Sequence, residues 1–571
     1  MRKSHRSFPW CLAALPLLAL ALATAPAAEA QIADLRTEAE ELEYARHTSH
    51  DRMVEYLQAL QAQSLDMRLG TYGKTREGRD LVYAVFSRPL VSKPWEAMVS
   101  GKPVVLLAAN IHGGERTYRE SLLVLLREMA QRGTAVNRML DDMIIVVAPS
   151  INPDGLEAQP NPTRANAFGF DMNRDYMKLT QPEIAQYLGN LVQQWRPHLM
   201  VDGHNGGARP YNLTYQGGGA AGGDQRLTRI CDEEIFPAID RRLEAEGYLS
   251  WYYGRDQDRE RWTGLVEHPR MGHNYGPMAN IISILFEAPG GQNLGTGAAA
   301  GVYGHLAVLE FVQQNARRIV DLVEDARAET VRIGKAGEGQ IPVTQRFVPA
   351  DYRVSYKIVE TVDEEQQIVD VTDAEILIKP EATLLRDRPY AYLLPRQADA
   401  AVAMLQRHGI LVEQLQEPVE LEVQAYVLDG IEYRPHFGHA AGTFVSVGEV
   451  VTVSRPFPRG TYVVPTGQTM GRIVTHILEA ESGDNLVTWN TMDAWLPKPE
   501  LARIAAEGEG PGTEGQQARQ TQQAQQVREG QQTRPGQQPG QQQASEPPPP
   551  YLPIFKLIQP TALPTRIVDN W

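Results

Sequence analysis

The chain has 571 residues, of which 42% are hydrophobic and 22% charged, an ordinary composition for a soluble globular protein of two or three domains. Its net charge of −15 at pH 7 is unfavourable for binding nucleic acid, and we expect no such partner.

Residues 1–30 have the pattern of an export signal. A basic start ("MRKSHR") precedes an apolar run ("LAALPLLALALATAP") and a small-residue cleavage site ("AEA") before Gln31. An uncleaved anchor helix is the alternative, but the apolar run is short for a membrane span. We therefore expect a secreted or periplasmic protein, with no stable membrane insertion after cleavage. Cleavage leaves Cys231 as the only cysteine, so any metal must be held by histidines and carboxylates.

Residues 36–335 alternate between apolar strand patterns and helical patterns. The predicted strands are 103–110, 142–150, 198–203 and 280–287, and the predicted helices are 116–133, 180–195, 224–246 and 303–330. Thr180 and Glu183 have capping-box spacing, and Pro182 falls in the first turn of that helix. The alternation predicts an α/β domain with a mixed, largely parallel sheet flanked by helices.

Residues 336–504 change character, with short β-rich runs and one helix near 397–409, and we interpret them as a smaller accessory domain. Residues 505–550 are rich in Gln, Gly and Pro and are predicted to be a disordered insertion. Residues 551–571 are apolar again ("YLPIFKLIQP") and are expected to pack on the accessory domain. His436 and His439 ("HFGH") lack an acidic partner at useful spacing, so we interpret them as loop histidines.

Polar side chains follow the ends of the predicted strands. In open α/β sheets, ligands bind outside the carboxyl ends of the strands, so these side chains are expected to converge. The candidates are His112, Glu115, Arg164, Asn173, Arg174, His204 and Glu287.

Two histidines and one carboxylate form a common catalytic zinc set, and His112, Glu115 and His204 supply one. A zinc-activated water still needs a base, and Glu287 is the candidate because it ends an apolar strand where burial would raise its pKa. Arg174 suits a substrate carboxylate, and Arg164 suits a developing oxyanion.

The segments "HGGE", "INPDG", "RANAFGFDMNRD", "VDGH" and "ILFE" resemble, in that order, the zinc carboxypeptidases of the carboxypeptidase A type, over about residues 40–330. The resemblance implies one zinc ion bound by His112, Glu115 and His204. It further implies an oxyanion-stabilising arginine, a pair that grips the terminal carboxylate and a general base. Their counterparts in this chain are Arg164, Asn173, Arg174 and Glu287.

Two features depart from the family pattern. The residue before the liganding glutamate is Gly114, where some family members have an arginine, and Arg116 follows the glutamate instead. The substrate-capping tyrosine of the family has no obvious counterpart, and Tyr252, Tyr253 and Tyr275 are the candidates.

The sequence therefore predicts an exported zinc metallocarboxypeptidase that removes the last residue of peptides or proteins with a free C-terminal carboxylate. One alternative is a zinc amidase, deacylase or cell-wall peptide hydrolase that uses the same site. The other is an inactive carboxypeptidase-like binding protein, although ligands, base and arginines are all present.

Overall fold

The computed structural model describes residues 32–265, 268–497 and 550–569. The predicted signal segment and residues 505–549 of the predicted insertion lie outside these ranges. Within them, no helix combines the length and apolar character needed to span a bilayer.

Twenty strands are present in the described ranges. They are β1 Met67–Lys74, β2 Asp80–Phe86, β3 Val104–Ala109, β4 Ile144–Ala148, β5 Leu199–Gly207, β6 Leu213–Gly217, β7 Ser250–Tyr252, β8 Arg255–Gln257, β9 Arg261–Thr263, β10 Ile282–Pro289, β11 Gln340–Pro349, β12 Val354–Val362, β13 Glu365–Asp387, β14 Ala391–Leu394, β15 Glu413–Leu415, β16 Val419–His436, β17 His439–Phe457, β18 Tyr462–Pro465, β19 Tyr551–Leu557 and β20 Thr565–Ile567.

The helices frame these strands. They are α1 Glu38–Glu41, α2 His50–Gln63, α3 Pro94–Ser100, α4 Thr117–Ala130, α5 Ala135–Met139, α6 Pro153–Leu156, α7 Pro182–Gln186, α8 Gln193–Trp195, α9 Gln225–Ile230, α10 Phe236–Ala245, α11 Gly272–Met278, α12 Leu294–Gln314, α13 Ala316–Ala336, α14 Asp399–Arg407 and α15 Gly471–Leu478. Short π-helical segments join α7 to α8 and α9 to α10.

Eight strands form one mixed sheet in the order β1-β2-β4-β3-β5-β10-β6-β7. Its four central strands, β4, β3, β5 and β10, run parallel, and β2 and β6 pair with them antiparallel. Alternate residues of β3 enter different apolar clusters, with Val105 and Leu107 on one face and Val104 and Leu106 on the other. The predicted fold class, a mixed and largely parallel sheet between helices, is confirmed.

Two helix predictions need correction. The helix predicted over 180–195 begins at Pro182, but Gln181 occupies the cap position. Thr180 instead donates its hydroxyl to Asp175 Oδ1 at 3.0 Å, and Glu183 accepts from other segments, so no capping box forms. The helix predicted near 303–330 is two helices, α12 and α13, which are interrupted at Asn315.

The β-rich region contains two further sheets. One has the order β11-β13-β9-β8, with β12 also paired to β13, and the other has the order β17-β16-β19-β14-β18-β15-β20. β19 and β20, which follow the predicted insertion, thus pair with strands that precede it.

The two regions share packing. The short strands β8 and β9 precede residue 335 in the chain but belong to the sheet of β13. One apolar cluster contains Leu106 and Ile184 of the first region together with Tyr392, Leu405 and Ile473 of the second. The β-rich region therefore packs directly on the α/β region.

Candidate active site

The register of the parallel strands brings the candidate residues to one edge of the sheet. Glu287 in β10 lies directly opposite His204 in β5. On the other side of β5, Gly203 pairs with Ala109, the last residue of β3. The loop that follows β3 carries His112 and Glu115, so three neighbouring strands deliver polar side chains to one place.

The loop "NIHGGE" is shaped by its own first residue. Asn110 has a φ of +61°, which asparagine tolerates well, and its Nδ2 donates to the carbonyls of His112, Gly113 and Glu115 at 3.0, 3.1 and 3.0 Å. Gly113 sits against α6, where an added Cβ would lie 2.1 Å from the carbonyl carbon of Gly155. Only glycine allows this approach, so the loop is pressed onto the "NPDG" turn.

His112, Glu115 and His204 form a compact cluster whose ligating atoms all lie within 4.8 Å of one another. His112 Nδ1 lies 2.9 Å from Glu115 Oε1, and His204 Nδ1 lies 3.0 Å from Glu115 Oε2. Burial raises the pKa of Glu115, but the two histidines outweigh it and hold that pKa well below its ordinary value. The cluster therefore stabilises the ionised carboxylate.

Each histidine of the cluster is held from behind by a second carboxylate. His112 Nε2 lies 3.0 Å from Asp171 Oδ1, and His204 Nε2 lies 3.0 Å from Asp202 Oδ2. Burial lowers the pKa of His204, but Asp202 and Glu115 overcome it and raise that pKa well above its ordinary value. Carboxylates in this position fix the ring and make its opposite nitrogen a better ligand.

The donor set fits a metal ion. His112 Nδ1 and His204 Nδ1 lie 3.1 Å apart, and two ring nitrogens so close need a proton or a cation between their lone pairs. Two imidazole nitrogens and one carboxylate, each ring backed by a carboxylate, are the protein ligands of a catalytic zinc ion with one position left open.

Glu287 faces this cluster from the next strand. The residue is 7% exposed, and burial raises the pKa of its carboxyl group to about 8. Its Oε2 is buried and has no hydrogen-bond partner among the described residues. A Cβ added to Gly206 would lie 3.0 Å from that oxygen, so the glycine keeps the space beside it open. A buried, unpaired carboxylate next to a metal-ligand set is suited to proton transfer.

Arg164 lies at the mouth of the cluster with 47% of its side chain exposed. Its Nη1 donates to Glu115 Oε1 at 2.9 Å and its Nε to Asp171 Oδ2 at 3.0 Å. The guanidinium is thus fixed beside the ligating atoms, where it can meet charge that develops on a substrate oxygen.

Arg174 and Asn173 lie on a short 3₁₀ turn, Met172–Arg174. Arg174 Nη1 donates to the carbonyl of Asn173 at 3.1 Å, and its closest carboxylate oxygen, Asp171 Oδ2, is 3.8 Å away. Burial lowers the pKa of Arg174, because its guanidinium is partly shielded from solvent. Asn173 Oδ1 accepts from the backbone of Gly272 at 3.0 Å, so this amide is fixed in orientation.

The structure separates the three tyrosine candidates. Tyr252 is buried against the ring of Tyr215. Tyr275 is also buried, and its hydroxyl lies 3.1 Å from His408 Nδ1. Of the three, Tyr253 approaches the site. A Cβ added to Gly206 would lie 3.5 Å from the Tyr253 hydroxyl and 3.0 Å from Glu287 Oε2, so both side chains border the same space.

The structure also bears on Gly114, which stands where some members of the family have an arginine. An added Cβ on Gly114 would be no closer than 3.7 Å to any atom outside its neighbours, so the fold does not require glycine there. Arg116 does not occupy that space, because its Nη1 lies 3.2 Å from His47 Nδ1 in the N-terminal segment.

Sequence reasoning missed Asp171 and Asp202. Asp202 had a detectable signal, because it stands two residues before His204 and alternate residues of a strand share one face. Asp171 had none, since its contact with His112 depends on how the loop after residue 152 folds back.

Part of the chain is similar to known protein families and to curated proteins. Residues 53–224 match the sequence model of the zinc carboxypeptidase family, a range that includes every candidate site residue except Glu287. The chain is 23% identical to carboxypeptidase 2 of Trichophyton rubrum over 444 residues, which cover 73% of this chain and 78% of that protein.

Two further similarities are shorter or weaker. The carboxypeptidase N catalytic chain of Mus musculus is 34% identical over 149 residues, covering 24% of this chain and 31% of that protein. A metallo-carboxypeptidase structure from Burkholderia cenocepacia aligns with 21% identity and a TM-score of 0.38, covering 47% of this chain and 70% of that one.

Proposed function

We propose that the chain is an exported zinc metallocarboxypeptidase acting on free C-terminal ends, a proposal supported by the match of residues 53–224 to the zinc carboxypeptidase family. The observation that carries the proposal is the cluster of His112, Glu115 and His204, with Glu287 directly opposite His204. Bound there, a zinc ion would supply Lewis-acid activation of water and of the scissile carbonyl.

The carboxylate of the substrate is assigned to Arg174 and Asn173. Among the described residues, no carboxylate lies within hydrogen-bond distance of Arg174, so its guanidinium retains donors for a ligand. A planar guanidinium matches a carboxylate in two parallel hydrogen bonds, which fixes both position and orientation. This places the last peptide bond of a substrate toward the cluster.

Glu287 and Arg164 perform the remaining steps. Glu287 takes a proton from the attacking water and returns it to the leaving amine, while Arg164 stabilises the negative oxygen of the tetrahedral species. Burial is the main cause that raises the pKa of Glu287 to about 8, and the added positive charge of a bound zinc ion would lower that pKa toward neutral pH, where the carboxylate can act as a base.

Export is part of the proposal and rests on the sequence pattern of residues 1–30.

The proposal is tested with paired peptides that differ only in a free or amidated C-terminus. The wild-type protein should release the last residue of the free form and leave the amide intact. Arg174→Ala should lower kcat/KM for the free form by about a hundredfold, the order of a lost buried charge partner. Arg317→Ala, which removes an exposed arginine that forms an ion pair with Asp321, should have no effect.

Two results would favour the amidase, deacylase or cell-wall hydrolase alternative. One is cleavage of amidated and free peptides at equal rates. The other is an Arg174→Ala variant that keeps full activity on free peptides.

A further inference from the structure

A long hairpin of the β-rich region reaches the candidate site. Its strands are β16 and β17, which pair along their length from Val419 opposite Phe457 to His436 opposite His439. The turn between them consists of Phe437 and Gly438. Although β16 joins the second region's sheet through β19, this turn lies against the segment that carries Asn173 and Arg174.

The ring of Phe437 contacts two arginines of the α/β region. The guanidinium carbon of Arg270 lies 4.2 Å from the ring centroid, and that of Arg174 lies 5.8 Å from it. Arg270 is itself buried and donates its Nε to Asp484 Oδ2 at 3.0 Å. Both distances are within the range of cation–π attraction.

Neighbouring residues anchor the turn to the same segment. Lys178 Nζ lies 2.9 Å from His439 Nδ1, and the His439 ring packs on Phe170 with centroids 5.2 Å apart. Burial lowers the pKa of His439 to about 4, with Lys178 acting in the same direction, so the ring stays neutral and accepts from the lysine. Phe170 and Lys178 flank Arg174 in sequence, so the anchors lie on both sides of it.

The turn has an unusual residue in a demanding conformation. Phe437 and Gly438 have φ values of +42° and +82°, as a two-residue turn with both central residues left-handed requires. Glycine and asparagine adopt this conformation easily, whereas a bulky aromatic residue is strained in it. A contact that needs an aromatic ring at this position accounts for the choice.

We infer that Phe437 is a positioning residue for substrate binding, which holds the guanidinium of Arg174 for the terminal carboxylate. A carboxylate partner would hold Arg174 as well, but it would occupy the N–H groups that the substrate needs. An aromatic ring attracts the guanidinium without accepting those hydrogen bonds. This inference rests on the proposed function and makes the β-rich region a part of the binding site.

The test compares Phe437→Ala, Phe437→Leu and Phe437→Tyr in the full-length, zinc-loaded protein. Phe437→Ala should raise KM for free-carboxylate peptides by about tenfold, the order of one desolvated cation–π contact, with kcat changed less than about twofold. Phe437→Tyr should restore KM because it keeps the ring, and Phe437→Leu should not. Recovery by leucine would overturn the inference, because it would show that only packing matters.

A matched control lies on the same hairpin. The ring of Phe444 is 4.0 Å from the guanidinium carbon of Arg434, an arginine of the hairpin itself, and it packs on His436 beside the turn with centroids 5.2 Å apart. Phe444→Ala should leave KM unchanged; a KM increase equal to that of Phe437→Ala would show a general loosening of the hairpin and overturn the inference. Melting temperature and zinc content identify any variant that fails to fold, and Phe437→Leu and Phe437→Tyr then carry the comparison.

A binding measurement separates this inference from the proposed function. In a Glu287→Gln background, the dissociation constant of a free-carboxylate peptide should weaken about tenfold on adding Phe437→Ala. An unchanged constant would overturn the inference even if the wild type is a carboxypeptidase. A wild type that fails to hydrolyse free peptides, yet shows the binding change, would overturn the proposed catalysis alone.

Discussion

A buried charged cluster of the β-rich region and the one at the candidate site are built in opposite ways. In the β-rich region, Glu479 lies 2.9 Å from Lys556 Nζ and also accepts from the hydroxyls of Tyr392 and Tyr426. At the sheet edge, Glu287 is also buried, but its Oε2 has no partner among the described residues. A buried cluster whose charges and hydrogen bonds are all paired internally stabilises the fold. A cluster with an unpaired carboxylate oxygen can take part in proton transfer.

Because the Glu287 carboxylate lacks a partner, we expect its neutralisation to remove activity without destabilising the fold. Glu287→Gln should lower kcat at least about a thousandfold, since general base catalysis and the electrostatics of the site are both lost. Thermal stability should stay equal or rise, because a buried unpaired carboxylate is replaced by a neutral amide. Steady-state kinetics, with zinc content as the control, measure the effect; a variant of near-native activity would refute the assigned base.

The opposite outcome is expected for the β-rich cluster. Lys556→Met leaves Glu479 buried without its cation and should cost about 3 kcal/mol of unfolding free energy in a urea titration. The kcat/KM of the folded enzyme should change little. Adding Glu479→Gln to the same variant should recover part of the loss, because no uncompensated charge remains. If the double variant is no more stable than the single one, the cluster is not held by charge pairing.

A third prediction concerns pH and the contact between the two regions. His408 is buried, its Nε2 donates to the carbonyl of Met177 at 2.8 Å, and its Nδ1 lies 3.1 Å from the hydroxyl of Tyr275. Burial lowers its pKa to about 4, and the charge of Arg407 acts in the same direction. The neutral ring is therefore the form that the fold requires.

His408 binds a proton near pH 6.5 in the unfolded chain but only near pH 4 in the folded chain. Its contribution to the unfolding free energy is therefore complete above pH 6.5 and is lost as the pH falls from 6.5 to 4. The loss attributable to His408 should reach about 3 kcal/mol. His408→Gln should flatten the dependence of unfolding free energy on pH between 6.5 and 4. An unchanged slope would mean that the histidine is already protonated in the fold.

The smallest effect is expected at Asp202, which touches His204 and not the substrate. Asp202→Asn should weaken zinc affinity about 10- to 100-fold, the usual effect of losing a carboxylate behind a liganding histidine. Competition with a chromogenic chelator measures this change, and kcat at saturating zinc should fall much less than in Glu287→Gln. Unaltered affinity would assign Asp202 to packing only.

The α/β region and the position of the site were predictable from sequence because both depend on local patterns. Apolar runs mark β3, β4, β5 and β10, and parallel strands necessarily bring their carboxyl ends to one edge. The candidate residues at that edge are therefore predictable from the sequence. Their roles remain proposals.

The contribution of the β-rich region was not predictable, for a physical reason. The segment "HFGH" is predicted as a loop, because no local sequence pattern indicates that a hairpin brings Phe437 into contact with Arg174. The same holds for Asp171, whose contact with His112 depends on a long connection, and for Thr180, whose hydroxyl finds Asp175 rather than the helix start. Tertiary contacts of this kind override local signals.

We propose that His112, Glu115 and His204 hold one catalytic zinc ion. Elemental analysis of the purified protein, combined with peptide hydrolysis before and after dialysis against a chelator, tests it most directly. We expect one zinc per chain, loss of metal and activity together, and recovery of both when zinc is returned. Undiminished hydrolysis by a chain that contains no stoichiometric metal would contradict it.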